Sequence, residues 1–237
     1  MPRRASVIEE QPTAPRSRKG AATRVRLIDA AKGVFEDAGF LDARITDIAE
    51  RAGLSHGSFY HYFDSKEQVF REVADAQEAL LTAPDETADE PAASEYERIL
   101  RANRRYLERY RDNGKIMGVI EEVSRYDKSV NEGRMQRQKH FAERAERAIR
   151  RLQDEGDADP TIDPEVAALA LGSMVGRFAE LWFVERWSTF DFDEAADQVT
   201  RLWANAIGLK GIPATSPSAR ARPRARSTTK RRTTARR

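Results

Sequence analysis

Apolar residues along this chain recur at intervals of three and four positions, and no segment keeps the apolar–polar alternation of a half-buried strand. Most of the chain therefore reads as helix, and caps and breakers divide it. A first helix is expected from about Ala22 to Ala38, burying Val25, Ile28, Ala31, Val34 and Phe35 and ending at Gly39. Two short helices follow, about Thr46 to Ala52 and Ser55 to His61. The fourth begins after Asp64, where Asp64 and Glu67 have the spacing of a capping box, and reaches about Leu81. Pro84 to Ala93 is polar and reads as a loop. Further helices are expected over about Ser94 to Arg111, Lys115 to Tyr126 and Lys128 to Asp154, and, past a loop from Gly156 to Asp163, over Pro164 to Trp187 and Asp191 to Gly208.

The expected fold is thus all-α, with about nine helices. Residues 21–66 make a small amino-terminal three-helix unit and residues 67–209 a larger helical domain. Residues 1–20 and 210–237, rich in Arg, Pro, Ser, Ala and Thr and without periodicity, are expected to be a disordered basic arm and a disordered Arg-rich tail.

Composition narrows the classes of activity. The most apolar stretch, Val166 to Trp187, is interrupted by Arg177 and Glu180, and the first 26 residues have no apolar core of the kind a secretory signal needs. No membrane partner is expected, and a cytoplasmic location is. Cysteine is absent, and the three histidines, His56, His61 and His140, form no metal-ligand pattern. No nucleophile elbow, phosphate loop or dinucleotide fingerprint occurs, so no catalytic residue, metal or cofactor is assigned and an enzyme is not expected. The net charge of +2 conceals an asymmetry: residues 1–26 carry seven Arg or Lys against two Glu, and residues 210–237 carry ten against no acid. An acidic body between basic ends suggests that the ends meet a polyanion, or that they only aid solubility.

The most informative residues lie between Thr46 and Phe63. A helix-turn-helix needs a small residue where its helices cross, a glycine able to take positive φ in the turn, and apolar residues at fixed intervals. Ala49 and Gly53 fill the first two roles, and Ile48, Ala52, Leu54, Phe59 and Tyr62 the third. The run from Ile45-Thr46-Asp47-Ile48-Ala49 through Ala52-Gly53-Leu54-Ser55-His56-Gly57-Ser58-Phe59-Tyr60-His61-Tyr62-Phe63-Asp64-Ser65-Lys66-Glu67 closely resembles the signature of the TetR family of transcriptional regulators. The resemblance is specific over about Val25 to Val73 and architectural beyond it. It implies a homodimer whose recognition helices enter successive major grooves of a palindromic double-stranded operator, released when a ligand enters the carboxy-terminal domain.

The residues themselves give a compatible picture. Ser55 is expected to cap the recognition helix, with a DNA contact equally open. His56, Gly57 and Ser58 form the turn that usually reaches base edges. Tyr60 and His61 offer donors to phosphate, Tyr62 is divided between core and DNA, and Phe63 is core. Thr46 is read as a cap that also touches phosphate. Lys66 stands in a first helical turn, where the helix dipole disfavours a cation, so an external anion or a pairing with Asp64 or Glu67 is expected.

In the larger domain, Tyr106, Tyr110, Met117, Ile120, Met135 and Phe141 on the fifth to seventh helices and Met174, Phe178, Trp182 and Phe183 on the eighth are either core or the lining of a pocket for a largely apolar effector. Small residues on helix 8 and the apolar stripe of helix 9 suit a homodimer through these two helices, with packing inside one subunit as the alternative. A rival reading is a DNA-binding protein without a small-molecule ligand, regulated by a partner or acting architecturally.

Overall fold

The computed structural model describes residues 18–83 and 92–214; the basic arm before Arg18, most of the loop after the fourth helix and the Arg-rich tail after Ala214 lie outside them. Among the described residues there are nine α-helices and no strand. They are α1 (Arg18–Asp42), α2 (Ile45–Arg51), α3 (His56–Phe59), α4 (Lys66–Thr82), α5 (Glu95–Asp112), α6 (Gly114–Val123), α7 (Lys128–Asp154), α8 (Pro164–Ala179) and α9 (Phe192–Ala206).

Their starts follow from local chemistry. Ser55, Ser65, Ser94, Asp127, Asp163 and Asp191 each stand extended just before a helix and accept a hydrogen bond from the amide three residues on. Each such cap contributes about 1 kcal/mol by satisfying an amide that the helix cannot. The fourth helix is therefore capped one residue later than Asp64, by Ser65, and it is Gln68 rather than Glu67 that reaches back, to the Asp64 amide. Gly39 breaks the first helix with φ 75°, a conformation that a Cβ would strain.

Two expectations about helix faces and lengths are corrected. Val25 is exposed, and the buried face of α1 is carried by Leu27, Ala30, Ala31, Val34 and Phe35. The eighth helix does not run on as α-helix to Trp187: after Ala179 the chain widens into a π-helical turn, Glu180–Val184, and then becomes irregular up to Asp191. Pro164–Val184 is long and apolar enough to cross a membrane by length and composition, but Ala168, Leu171, Val175 and Ala179 are buried within the folded chain and Arg177 pairs with Glu180.

The core has two parts. One joins the first three helices to α4 and α6: Phe70 of α4 meets Phe35 edge-on at 5.0 Å and Phe40 at 4.9 Å. Burying such a ring contributes about 2–3 kcal/mol. The apolar packing is thus continuous across residue 66, and α4 is a wall shared by the small unit and the body. The other part lies between α5, α7, α8 and α9, around Tyr96, Ile149, Leu152, Leu171, Val175, Val199, Trp203 and Ile207.

Candidate nucleic-acid interface

The geometry of α2 and α3 starts from three residues. Ile48 and Phe59 are fully buried and Ala49 nearly so, which lets the two helices cross closely. Between them Gly53 takes φ 67°, its amide donating to Glu50 O at 2.9 Å while Leu54 donates to Ala49 O at 2.9 Å. Only glycine holds that turn without strain. With Phe59 and Phe63 turned inward and Tyr62 and Leu54 packed partly against the same core, His56, Gly57, Tyr60 and His61 are left facing outward.

This outward face contains most of the residues singled out from sequence. Ser55 is the cap: its Oγ accepts from the Ser58 amide at 3.2 Å and lies 2.7 Å from Ser58 Oγ. His56 meets Tyr60 edge-on at 5.2 Å, which ties the two exposed rings together. Among the described residues beyond its chain neighbours and its own helix backbone, nothing lies within 4 Å of a Cβ built on Gly57, and its φ is ordinary, so tertiary packing does not explain the glycine. Thr46 is exposed but is not a cap: Arg44 holds that position without a side-chain bond, and Thr46 Oγ1 lies 3.2 Å from Asp47 Oδ1. Arg44, exposed at that position, was not among the residues singled out from sequence.

Lys66 belongs elsewhere. Its ammonium donates to the carbonyls of Phe40 at 2.7 Å, Leu41 at 3.0 Å and Ala43 at 3.0 Å, and sits 4.7 Å over the Phe40 ring. All three of its donors are directed at these carbonyls rather than at Asp64 or Glu67. The orphan carbonyls ending α1 and the stretch after it supply the negative potential that the first turn of α4 lacks.

In the body, the aromatic residues expected to line a pocket do come together. Tyr106 meets Phe141 edge-on at 5.4 Å and Tyr110 at 5.9 Å; Tyr110 lies 6.4 Å from Phe183, Phe183 stacks on Trp182 at 4.4 Å, and Trp182 lies 5.4 Å from Phe178. Met117 and Ile120 are fully buried in the first core, while Met174 packs against the second. Met135 is not among them: it points outward from α7 and is half exposed, because Arg134 and Arg137 hold the inward face of that turn.

Those arginines belong to an ionic network that sequence reasoning missed, since its members are far apart in the chain. Arg137 of α7 reaches Glu78 of α4 at 2.7 Å and Glu121 of α6 at 3.8 Å, and Arg134 reaches Glu121 at 2.6 Å. Burial pushes the Glu78 carboxyl up to about 7, against the pull of Arg137. Burial also pushes the Tyr106 phenol up to about 12, and the network's charges act on it. The interior beside the two tyrosines is therefore not purely apolar.

On the outside of α8, Val166, Leu169, Ala170 and Ser173 form an exposed stripe, and on α9 Leu202, Asn205 and Ala206 do the same. Leu169 and Leu202 are each 60% exposed.

Comparison with known proteins accords with this geometry. Residues 27–73 match the family described as bacterial regulatory proteins, tetR family. Over 55 residues the chain is 46% identical to the HTH-type transcriptional regulator YdgC of Bacillus subtilis, an alignment covering 23% of this chain and 28% of that protein. Over 50 residues it is 42% identical to the HTH-type transcriptional repressor KstR2 of Rhodococcus jostii, covering 21% and 24%. The likeness thus spans about a quarter of the length of these curated relatives. The fold is similar to that of the fatty acid degradation regulator FadR of Bacillus halodurans, with TM-score 0.63 at 18% identity, covering 76% of this chain and 94% of that one.

Proposed function

Since residues 27–73 match the family described as bacterial regulatory proteins, tetR family, we propose that this protein is a ligand-responsive transcriptional regulator, a repressor that binds a palindromic operator as a homodimer in the cytoplasm and lets go when a largely apolar small molecule enters its body. The observation that carries the reading is the outward face of His56, Gly57, Tyr60 and His61, held rigid by the buried Ile48, Ala49 and Phe59 beneath it. The repressor KstR2 is among the proteins similar to this chain over part of its length.

Ser55, His56, Gly57 and Ser58 stand where base edges are met, and Thr46, Tyr60, His61 and the edge of Tyr62 where phosphates flank them. The exposed stripes of α8 and α9 support dimerisation, since two copies pairing there would cover Leu169 and Leu202. The aromatic group around Tyr106, Tyr110, Phe141 and Phe178 to Phe183 supports an apolar effector, with the Glu78–Arg137–Glu121 network offering it one polar contact. Regulation rather than catalysis is the role proposed.

Selection of bound sequences from a random duplex pool tests this. The full chain should enrich an inverted repeat, and enrichment of no repeat would contradict the reading.

A further inference from the structure

One polar side chain interrupts the apolar seam of α4. Phe70, Val73, Ala74 and Leu81 recur at the spacing of one helix face, and all are buried in the core that also holds Leu107 and Tyr110 of α5 and Met117 and Ile120 of α6. Gln77 stands on that face, four residues before Leu81. It is 7% exposed, and its amide oxygen has no hydrogen-bond partner among the described residues. A buried acceptor left open destabilises a fold, whereas leucine would fill the seam without that cost. What the oxygen lacks is a donor.

Next to Gln77 in the chain, Glu78 belongs to a group short of positive charge. Three carboxylates face inward here, those of Glu78, Glu121 of α6 and Glu180 of the π turn, with side chains 11–12% exposed. Arg134 and Arg137 of α7 meet the first two from within, but Arg177, the partner of Glu180, is 53% exposed and screened by water. The charges around the group do not make up the difference. Arg109 of α5 donates to the Ala83 carbonyl at 2.7 Å, Arg24 of α1 pairs with Glu72 of α4 at 2.6 Å, His140 of α7 is exposed, and Asp75 of α4 is exposed and acidic. The imbalance acts on the ionisable groups. Burial drives the Glu78 carboxyl up to about 7, with Arg137 opposing the rise and Glu121 adding to it. Burial, and then the charge of Glu121, pushes the Tyr110 phenol up as well. A cation would relieve this imbalance, and the rings of Tyr106 and Tyr110, 5.9 Å apart, present faces that attract one.

We infer that the effector is a hydrophobic amine, its protonated nitrogen held by the Gln77 oxygen and the carboxylates of Glu78 and Glu121, and its apolar part by the aromatic group around Tyr106, Tyr110 and Phe183. The inference rests on the reading of the body as a site for an apolar effector, and names the head that such a molecule carries. An N–H of the ammonium supplies the donor that Gln77 lacks, and its charge favours Glu78 as the carboxylate. Below about pH 7 the nitrogen therefore displaces a proton from Glu78 when it binds. A carboxylate or phosphate head would instead add to the negative charge already buried there.

Calorimetric titration of the full chain with decylammonium, decanol and decanoate, each below its micelle concentration, tests this, since the three share a chain and differ in the charge of the head. Decylammonium should bind about tenfold or more tighter than the other two at about pH 8, as expected of hydrogen bonds to a charged group. Its affinity should fall roughly tenfold from about pH 8 to about pH 6, where Glu78 takes up a proton while the alkylammonium keeps its own. Glu78→Gln should remove that pH dependence, and Gln77→Leu should weaken decylammonium severalfold without lowering the thermal midpoint. Decanol or decanoate binding as tightly as decylammonium, or a decylammonium affinity that does not change with pH in the parent chain, would overturn the inference. Binding of none of the three would instead overturn the apolar-effector reading on which it stands.

Discussion

At the scale of single residues, the proposed reading separates side chains that would touch DNA from those that hold the helix-turn-helix in place. Lys66 illustrates the second kind, because its three donors close the carbonyls of Phe40, Leu41 and Ala43. Lys66→Ala should lower unfolding free energy by about 1–3 kcal/mol, the cost of hydrogen bonds to a charged donor, while leaving the salt slope of DNA binding as it was. Urea denaturation and titrations across salt check this; a shallower slope at unchanged stability would put the ammonium on phosphate after all. Glu78 gives a second residue-scale expectation. Burial raises its folded titration to about 7, well above the ordinary glutamate value. Between those values the folded chain holds a proton that the unfolded chain has lost, so this group's contribution makes stability fall as pH rises towards 7 and level off beyond it. Thermal midpoints measured from pH 5 to 8 should show that decline lessened in Glu78→Gln; identical profiles would contradict it.

At the scale of elements, what could be read from sequence was what depends on neighbours along the chain. The helix-turn-helix was legible because its small residue, turn glycine and core positions fall at fixed separations, and Ile48, Ala49, Gly53 and Phe59 take the places their spacing requires. Contacts between distant segments were not. Lys66 and the carbonyls at and just past the end of α1 are 23 to 26 residues apart, and Glu78 and Arg137 59 apart. No local pattern announces such pairs. The π turn Glu180–Val184 was also invisible, since the same apolar spacing suits either hydrogen-bond register. That turn carries Trp182, stacked between Phe183 at 4.4 Å and Phe192 at 5.8 Å. If this element reads the effector, Trp182→Ala should alter release from DNA by effector and leave effector-free operator affinity within about twofold, because the ligand acts only through its differential affinity for two states. Loss of cooperative unfolding in the variant would mark Trp182 as core alone.

For the whole molecule, the account requires two copies. An arginine at Leu169 or Leu202 would place a charge where an apolar stripe is to be covered, so Leu169→Arg or Leu202→Arg should shift the chain towards monomer in sedimentation without unfolding it. A dimer unmoved by both changes would place the interface on another surface. Hydroxyl-radical footprinting of the full chain on the duplex it selects tests the central claim most directly. The account predicts two protected segments related by a dyad, as expected when symmetric recognition helices enter successive major grooves. It also predicts that Gly57→Glu abolishes both at unchanged thermal stability, since the space around Gly57 is open within the protein while a carboxylate there would face phosphate. Protection without a dyad, or an undiminished footprint in the Gly57→Glu variant, would contradict it.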